Sequence, residues 1–431
     1  MHMMYFSERP YHPVDEEILL RNGYWGVPNK HFDPAVGARL YNEYLDEDVL
    51  AEEVGFDGIM LNEHHGLVLC MGAVVDVEAA ILARITKRAR IILLGNPLPV
   101  VANPLRLSEE LAEIDMISGG RLIPGWVRGG GTEQFANNAN PAYNREYFNE
   151  AHDLIVKAWT TPGPFRWEGK HFNYKYVNPW ALPLQKPHPP MWIPGIVSPE
   201  TVRWCAEHRY PYVALATYLE PTVELWNIYA EAAAREGYQA GPENFGYLQK
   251  VFVAETEKKA QELGQLELYG GGMYNAIKPQ WMFPPGYNSK AATKRLAHQF
   301  TDPSGEGGLF TGFEGKTIEE AKTITYGGYS RAQETYQLIR GTPKTVIPKI
   351  RKILEILRPG IFGFWQNDGP IGHGERMSNI RLLGEEVLPA VREIAKELGL
   401  ESPLIRKPGS RPLPASGKWE PVTESQLLST V

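Results

Sequence analysis

The feature that most constrains the fold of this 431-residue chain is a regular alternation of short apolar runs with amphipathic segments. The alternation repeats eight times over about 390 residues, as expected of strands and helices in a parallel α/β sheet. The strands are predicted at about 2–7, 58–61, 91–94, 121–127, 191–195, 212–216, 245–254 and 361–365. Eight such units predict a closed (β/α)8 TIM barrel with insertions. A doubly wound sheet is the alternative, but no G-x-G-x-x-G motif follows a strand.

The segments between the strands have the features of helices. Tyr41, Leu45 and Val49 recur at spacings of four within 40–54, and Gly55 ends this helix. Asn103 followed by Pro104 predicts another helix start, because Asn is a favoured N-cap and Pro suits the first turn. Further helices are predicted after Ser198 and at about 76–88, 145–159, 221–236, 256–264, 343–357 and 380–398.

Two long segments lie outside this alternation. A Pro- and Trp-rich connector covers about 161–190, and an irregular segment covers about 265–330, after strand seven. The second segment contains Gly270-Gly-Gly272 and many aromatic residues, and we interpret it as a candidate active-site lid. The chain is predicted to form a single barrel domain over 1–400, followed by a Pro- and Ser-rich, loosely ordered tail over 401–431.

Composition and charge argue against several classes of protein. A net charge of -7 and a pI near 5.9 disfavour nucleic acid and anionic membranes as partners. Cys70 and Cys205 provide neither a disulfide framework nor a paired metal-ligand spacing. The first residues lack the apolar stretch of a signal peptide, and no apolar run approaches the roughly 20 residues that span a bilayer. These features predict a cytoplasmic protein with no membrane segment.

Strand 58–61 ends abruptly in the polar residues Asn62, Glu63, His64 and His65. Polar groups in a row do not continue a buried strand, and a barrel has its active site at the strands' carboxyl ends, so we place them there. A metal site is disfavoured because adjacent residues point apart and no H-x-x-x-H or C-x-x-C pattern accompanies them. A hydrogen-bonded His pair and a general acid or base both remain as interpretations.

Ser198-Pro-Glu-Thr201 has the features of a helix start, with Ser at the N-cap and Pro in the first turn. The same arrangement could hold a phosphate, since free N–H groups, hydroxyls and the helix dipole attract an anion. Arg128, at the end of strand four, could donate to the same phosphate, although a lone Arg also suits a surface ion pair. Both interpretations stay open for each feature.

Gly95-Asn96 follows strand three, where the lack of a side chain would let a flat ring approach the backbone. An ordinary turn explains the pair equally well. Aromatic residues are frequent enough to line an apolar pocket, although core packing explains any one of them. They are Trp126, Trp180, Trp192, Tyr269, Tyr274, Trp281 and Trp365.

Several motifs together resemble the bacterial luciferase-like monooxygenases, a family of flavin-dependent (β/α)8 barrels. The motifs occur in the family's order and approximate spacing, and the resemblance extends over about residues 1–395. They are Gly55-Phe-Asp-Gly58, Glu63-His64-His65, Pro104-Leu-Arg-Leu-Ser-Glu109, Ile114-Asp-Met-Ile-Ser-Gly-Gly-Arg121, Val127-Arg128-Gly129 and Ser198-Pro-Glu-Thr201. The combination is specific for the family and does not encode the substrate.

The resemblance implies that reduced FMN binds at the barrel mouth and reacts with O2 to give a flavin C4a-peroxide. His64 matches the catalytic first His of the family's Glu-His-His motif, and His65 is its neighbour in the site. Arg128, Ser198 and Thr201 match the residues that bind the flavin phosphate. The resemblance therefore favours the phosphate interpretation of the helix start.

The resemblance also implies that Gly95 and Asn96 bind the cofactor. A non-proline cis peptide under the flavin ring is expected at Leu94–Gly95 or Gly95–Asn96. The resemblance assigns no role to Asn62 or Glu63.

The chain departs from the luciferase pattern in four places. Val127 replaces a reactive Cys, and Val197 replaces a Glu before the phosphate Ser. The loop at 10–37 and the segment at 265–330 do not match luciferase. Light emission is therefore not implied.

The expected function is an FMN-dependent monooxygenase that oxygenates an apolar or aromatic small molecule. The resemblance implies that a separate NAD(P)H flavin reductase supplies the reduced FMN, and that the chain forms a homodimer or a higher homo-oligomer. The first alternative is a deazaflavin-dependent dehydrogenase on the same barrel. A non-catalytic flavin-binding relative and a metal hydrolase built on His64 and His65 are the others.

Overall fold

A computed structural model describes residues 1–23, 26–196, 198–215, 218–275, 283–294, 315–366 and 369–420, with only the backbone given for 272–275. Val197, Trp281 and most of the predicted lid between 276 and 314 lie outside the described residues. The strands are β1 (His2–Phe6), β2 (Gly58–Leu61), β3 (Arg90–Leu93), β4 (Asn96–Pro97), β5 (Leu122–Ile123), β6 (Trp126–Val127), β7 (Phe165–Glu168), β8 (Asn173–Val177), β9 (Ile193–Gly195), β10 (Tyr212–Leu215), β11 (Phe245–Val253), β12 (Ile339–Gly341) and β13 (Ile361–Trp365).

The main sheet is parallel and runs in the order β5-β3-β2-β1-β13-β11-β10-β9, with β12 paired to β11. Its two ends meet where the Trp192 N–H donates to the Pro124 carbonyl at 3.1 Å, between β5 and β9. Around this circle the strands follow each other in chain order, as in a (β/α)8 barrel. The predicted α/β barrel is confirmed, and each predicted barrel strand overlaps an observed one.

The side chains of the barrel strands alternate between two apolar layers because successive residues of a strand point to opposite faces. In β1, Met3 and Tyr5 pack outward against the helices, whereas Met4 and Phe6 point into the barrel. The apolar side chains of the inward layer form one buried cluster, so the barrel is a packed core and not a pore. It consists of Met4, Phe6, Met60, Ile92, Leu94, Ile123, Trp192, Val213, Leu248 and Ile361.

Helices cover the outside of the barrel. The α-helices are Glu16–Asn22, Pro34–Glu53, Val75–Ile85, Pro104–Ser118, Gly131–Ala136, Asn144–Thr160, Pro199–His208, Leu219–Arg235, Glu257–Asn275, Ile318–Gly327, Tyr329–Glu334, Pro343–Leu357, His373–Leu382 and Leu388–Glu397. Asn103 caps its helix as predicted, since its side chain accepts a hydrogen bond from the Arg106 N–H at 3.1 Å. The helix predicted at 343–357 has those bounds in the structure.

Two predicted boundaries in the second half of the chain are wrong. The helix predicted at 256–264 runs to Asn275, through the glycine triplet that had suggested an irregular segment. Gly270 is required there by packing, because a Cβ would lie 2.3 Å from Pro370 Cδ. The last predicted helix, 380–398, is replaced by two helices that a π-turn at Leu383–Val387 joins.

The connector and the tail both pack on the barrel. The connector contains an antiparallel hairpin of β7 and β8. The tail was expected to be loosely ordered, but Arg411 forms an ion pair of 2.7 Å with buried Glu243, and Pro412 pairs with Tyr238. Residues 421–431 lie outside the described part, and the domain boundary at 400 stays a prediction.

Among the described helices, none has both the length and the apolar character that crossing a membrane requires. Cys70 and Cys205 are both buried and unpaired with each other.

Candidate functional site

The ends of β1 and β2 are joined by a buried polar network. The Asn62 side-chain amide donates to Glu8 at 2.5 Å, and Arg9 donates to the Asn62 backbone carbonyl at 2.7 Å and to its side-chain oxygen at 3.1 Å. Arg9 also lies 2.9 Å from a carboxylate oxygen of Glu78. Sequence reasoning assigned Asn62 no role. The structure assigns it a structural one, because its amide satisfies polar groups that burial would otherwise leave unpaired.

Glu63 orients His65 and the start of a helix. One oxygen of the Glu63 carboxylate lies 3.1 Å from His65 Nε2, and the other accepts from the Val75 N–H at 3.1 Å. Val75 is the first residue of helix Val75–Ile85, where a negative charge is favoured by the helix dipole. The hydrogen bond from Glu63 raises the pKa of His65.

His64 is paired with a residue that sequence reasoning missed. Its Nδ1 lies 2.5 Å from Glu133 Oε1, and the other Glu133 oxygen accepts from the Gly130 N–H at 2.5 Å. Burial lowers the pKa of His64, but the charge and hydrogen bond of Glu133 outweigh it and raise the pKa to about 8. Glu133 is the third residue of helix Gly131–Ala136, a position where Glu is favoured. A helix start predicted at the glycine run would therefore have indicated it.

The structure has a cis peptide at Leu94–Gly95, one of the two predicted positions. Gly95 is constrained by its neighbour strand, because a Cβ on it would lie 2.1 Å from the Gly125 carbonyl oxygen. The Asn96 side chain donates to the Asp76 carboxylate at 3.2 Å. Burial raises the pKa of Asp76 to about 7. Tight packing at the barrel rim therefore explains Gly95, whatever else the residue contacts.

Ser198 and Thr201 meet a second residue that was not predicted, Arg145. Ser198 is the N-cap of helix Pro199–His208 and accepts from the Thr201 N–H at 3.4 Å. Arg145 Nη2 donates to the Thr201 hydroxyl at 2.9 Å and to the Ser198 hydroxyl at 3.3 Å. Burial, assisted by the charge of Arg128, lowers the pKa of Arg145 to about 10. Two cations thus lie close together beside a helix N-terminus.

Arg128 is covered by residues 283–294, which we call the strap. Arg128 Nη1 donates to the Tyr287 carbonyl at 3.0 Å, Nη2 donates to the Asn288 side chain at 3.3 Å, and the guanidinium lies 4.9 Å from the Tyr287 ring centre. The Ser289 hydroxyl donates to Glu200 at 2.5 Å, which ties the strap to helix Pro199–His208. Within the predicted lid, residues 283–294 therefore contact Arg128 and the start of helix Pro199–His208.

Two buried donors of this region have no acceptor among the described residues, and the Ser198 hydroxyl donates to Glu200 at 3.0 Å. Within the described residues, Arg145 Nη1 and Asn288 Nδ2 are buried and have no hydrogen-bond partner. Buried donors of this kind are costly unless a ligand or water accepts from them. The two guanidiniums, the hydroxyls of Ser198 and Thr201 and the helix N-terminus together suit a phosphate group.

The predicted aromatic residues do not form one pocket. Trp126 and Trp192 are fully buried, and Tyr269 is buried in a separate cluster. Trp180 is 92% exposed on the connector. Trp365 faces into the end of the barrel and meets Phe6 edge to face at 5.3 Å. The Tyr274 side chain and Trp281 lie outside the described residues.

Comparisons with known proteins concern the family and the fold of the chain. The family model described as luciferase-like monooxygenase matches residues 27–354. An uncharacterised protein, y4wF, of Sinorhizobium fredii is 32% identical over 179 residues, which cover 39% of this chain and 50% of that protein. The oxygenase component of a flavin-dependent trigonelline monooxygenase of Acinetobacter baylyi is 27% identical over 166 residues, 37% of this chain and 45% of that protein. The chain thus matches about half the length of these curated relatives.

Solved structures share the fold. A monooxygenase from Streptomyces bottropensis has a TM-score of 0.65 at 21% identity, covering 91% of this chain and 100% of its own. The oxygenating constituent of 3,6-diketocamphane monooxygenase of Pseudomonas putida, solved with FMN, has a TM-score of 0.63 at 18% identity, covering 90% and 98%. An F420-dependent secondary alcohol dehydrogenase has a TM-score of 0.59 at 15% identity, covering 91% and 99%. The barrel, the strand-end site and the family match over most of the chain lead to one conclusion: this chain belongs to the luciferase-like monooxygenase family.

Proposed function

We propose that this protein is a flavin-dependent monooxygenase that uses reduced FMN and O2 to oxygenate an apolar or aromatic small molecule. The observation that carries the proposal is the phosphate-type site of Arg128, Arg145, Ser198 and Thr201, with its two unpaired buried donors, at the barrel end where His64 also lies. When bound, reduced FMN would supply the activation of O2. The flavin-dependent relative and the FMN-bound neighbour support this choice of cofactor.

The proposed site has two parts. Arg128, Arg145, Ser198 and Thr201 would bind the phosphate far from the reacting ring, so that binding energy positions the ring. His64 and Glu133 form the pair that would handle protons. Because Glu133 holds Nδ1, the other ring nitrogen of His64 is the one that can exchange a proton with a bound reactant. With its pKa at about 8, the imidazole carries a proton to give at neutral pH.

His65, Gly95 and Asn96 stay proposed site residues. His65 is held by Glu63 beside His64, and the rim formed by Gly95 and Asn96 is the proposed support of the flavin ring. The apolar floor of the barrel end includes Phe6 and Trp365, which suits an apolar or aromatic substrate. No metal ion takes part in the proposed reaction.

A separate NAD(P)H flavin reductase is the proposed source of reduced FMN. The relative named as an oxygenase component supports a two-component arrangement. A homodimer or higher homo-oligomer is also proposed, because apolar residues are exposed on two adjacent helices. They are Val77, Ile81 and Ile85 on Val75–Ile85, and Met116 and Ile117 on Pro104–Ser118. A cytoplasmic location completes the proposal.

The second candidate function is a deazaflavin-dependent dehydrogenase. Solved structures of F420-dependent enzymes share the fold at TM-scores of 0.59 and 0.63, so the barrel alone does not discriminate. Titration of the purified protein with FMN and with the deazaflavin F420, followed by fluorescence, distinguishes the two. We expect FMN, in its reduced form, to bind more tightly. Preferential binding of F420 would favour the dehydrogenase.

The decisive experiment is rapid mixing of the protein and reduced FMN with oxygenated buffer, with and without candidate substrates. We expect a long-lived oxygenated flavin spectrum and a product that contains one atom of 18O from 18O2. His64→Ala should keep flavin binding and lose product formation. Immediate flavin reoxidation without product across a broad substrate panel would instead favour a non-catalytic flavin-binding relative. Equal turnover by the His64 variant would contradict its catalytic role.

A further inference from the structure

A cluster of side chains that could bind a metal ion lies in the outer helical layer. Among the described residues, His152, Asp153 and His208 each offer one ligand atom, and these atoms lie within 4.8 Å of one another. His152 and Asp153 belong to helix Asn144–Thr160, and His208 is the last residue of helix Pro199–His208. The phosphate-type site lies at the N-terminal ends of these two helices, at Arg145 and Ser198.

His208 is held in the orientation that metal-binding histidines adopt. Its Nδ1 lies 2.8 Å from the Trp204 carbonyl oxygen, which can only accept, so the proton is on Nδ1. The lone pair of His208 is therefore on Nε2. Metal-bound imidazoles commonly donate their other N–H to a backbone carbonyl in this way. The ring centres of His152 and His208 are 5.3 Å apart and the rings are perpendicular, at 89°.

His152 is almost fully buried, and each of its ring nitrogens has a partner. Nδ1 lies 2.9 Å from an Asp153 carboxylate oxygen, and Nε2 lies 3.1 Å from the Tyr210 hydroxyl. Nδ1, which faces Asp153, is the ring nitrogen that a metal ion between these residues would bind.

We propose that His152, Asp153 and His208 bind one divalent transition-metal ion, for which zinc is the best-suited candidate. Two imidazoles and a carboxylate are a common zinc donor set, with metal–nitrogen bonds of about 2.0 Å and water as a fourth ligand. The ion would bind His152 Nδ1 beside Asp153, and the single proton of the neutral imidazole would then be on Nε2, from which it is donated to the Tyr210 hydroxyl oxygen. Asp153 and His208 are exposed, so their side chains can close the remaining distance.

A metal ion at this position would cross-link two helices of the barrel. The first residues of the same helices contribute Arg145 and Ser198 to the phosphate-type site. The ion would therefore fix the spacing of the two elements that carry this site. The proposal itself stands on the three ligands and does not depend on flavin binding.

The test is titration of the untagged full-length protein, after treatment with EDTA and desalting, with Zn2+ by calorimetry and with Co2+ by visible absorption. We expect one ion per chain and the absorption of tetrahedral Co2+. His208→Ala and Asp153→Asn should each weaken binding by about tenfold or more. Both residues are exposed, so these variants should still fold. His171→Ala is the matched control, because His171 forms a single imidazole–carboxylate pair with Glu146, at 2.8 Å, and should leave binding unchanged.

Two results would overturn the proposal. One is a lack of stoichiometric uptake of either ion by the wild-type protein. The other is an affinity of His208→Ala equal to that of the wild type. A second measurement is the Tm with and without Zn2+. Zinc should raise the Tm of the wild type and not that of His208→Ala, and an equal rise in both would also count against the site.

Discussion

The two adjacent imidazoles at the end of β2 are each bonded to a different carboxylate. Glu63, bonded to His65, belongs to the same strand end, whereas Glu133, bonded to His64, is 69 residues away in the sequence. Glu133 is 2% exposed, so water screens its charge poorly and its effect on the pKa of His64 is strong. The two histidines therefore hydrogen-bond to separate carboxylates, and the partner of His64 also accepts from the Gly130 N–H, beside Arg128.

Glu133→Gln should lower the pKa of His64 from about 8, because burial, which lowers it, is no longer outweighed by the charge of Glu133. NMR of the His64 ring protons against pH measures this. The raised pKa also means that the pair stabilises the folded state fully below about pH 6.5 and progressively less as the pH rises through 8. Glu63→Gln is the control, since it should change His65 only. An unchanged His64 titration in Glu133→Gln would refute the assignment.

Arg145→Met should weaken FMN binding by about tenfold to a hundredfold, which corresponds to the loss of one or two charge-assisted hydrogen bonds. Arg128→Ala should have an effect of similar size. Binding is measured by quenching of flavin fluorescence. Riboflavin, which lacks the phosphate, is the matched ligand, and its affinity should be the same for wild type and Arg145→Met. A loss of riboflavin binding as large as that of FMN would mean that Arg145 has a different role.

Among the elements of the fold, the strap decides how accessible the phosphate-type site is. It contacts two separate parts of the chain. Tyr287 and Asn288 contact Arg128, the Tyr287 hydroxyl donates to the Gly129 carbonyl at 2.5 Å, and Ser289 contacts Glu200. These polar contacts hold the strap against the barrel. Segments held in this way open at a lower free energy than the core.

FMN should protect the strap from proteolysis, because a phosphate between Arg128, Arg145 and Asn288 satisfies donors on both sides of the contact. Lys290 and Lys294 of the strap are exposed and are sites for trypsin. We expect slower cleavage after these residues when FMN is present, as followed by mass spectrometry. Riboflavin should protect less. Protection by FMN that persists fully in Arg128→Ala would show that the strap does not respond to the phosphate.

On the scale of the whole molecule, the barrel is closed between β5 and β9. Residues from the tail cover it at the amino ends of β1 and β13. Gly360, just before β13, lies so close to the carbonyls of Glu401 and Pro242 that a Cβ would be 2.3 Å from the first. The N-terminal ammonium donates to the Leu400 carbonyl at 2.5 Å. The tail over 401–420 therefore belongs to the packed structure of the barrel.

Arg411→Ala should lower the free energy of unfolding by about 2–4 kcal/mol, because it leaves the fully buried carboxylate of Glu243 without its ion pair. Arg406→Ala is the control: among the described residues Arg406 forms its ion pair with solvent-accessible Glu401, and its loss should cost much less than that of Arg411. Urea denaturation followed by circular dichroism gives both values. Equal, small effects of the two variants would indicate that the tail does not contribute to stability.

Much of this architecture could be predicted from local patterns. The eight strands, the helix starts at Asn103 and Ser198, and the position of the polar residues after β2 all follow from alternation, capping preferences and strand ends. These features depend on residues a few positions apart, so a single sequence contains them. One local pattern gave a wrong prediction. The glycine triplet at 270–272 suggested an irregular segment, but glycine is tolerated in a helix where another segment packs against it.

The sequence by itself therefore determined the barrel and the residues at its mouth, and the tertiary structure decided how those residues are connected. In the sequence, nothing distinguishes Glu133 and Arg145 from other helix residues. Only the folded structure shows that Glu133 contacts His64 and Arg145 contacts Thr201. The strap and Arg128 are about 160 residues apart, and no local pattern encodes their contact. Hydrogen bonds and charge pairing across such distances depend on the relative placement of whole elements, which packing of the complete barrel sets.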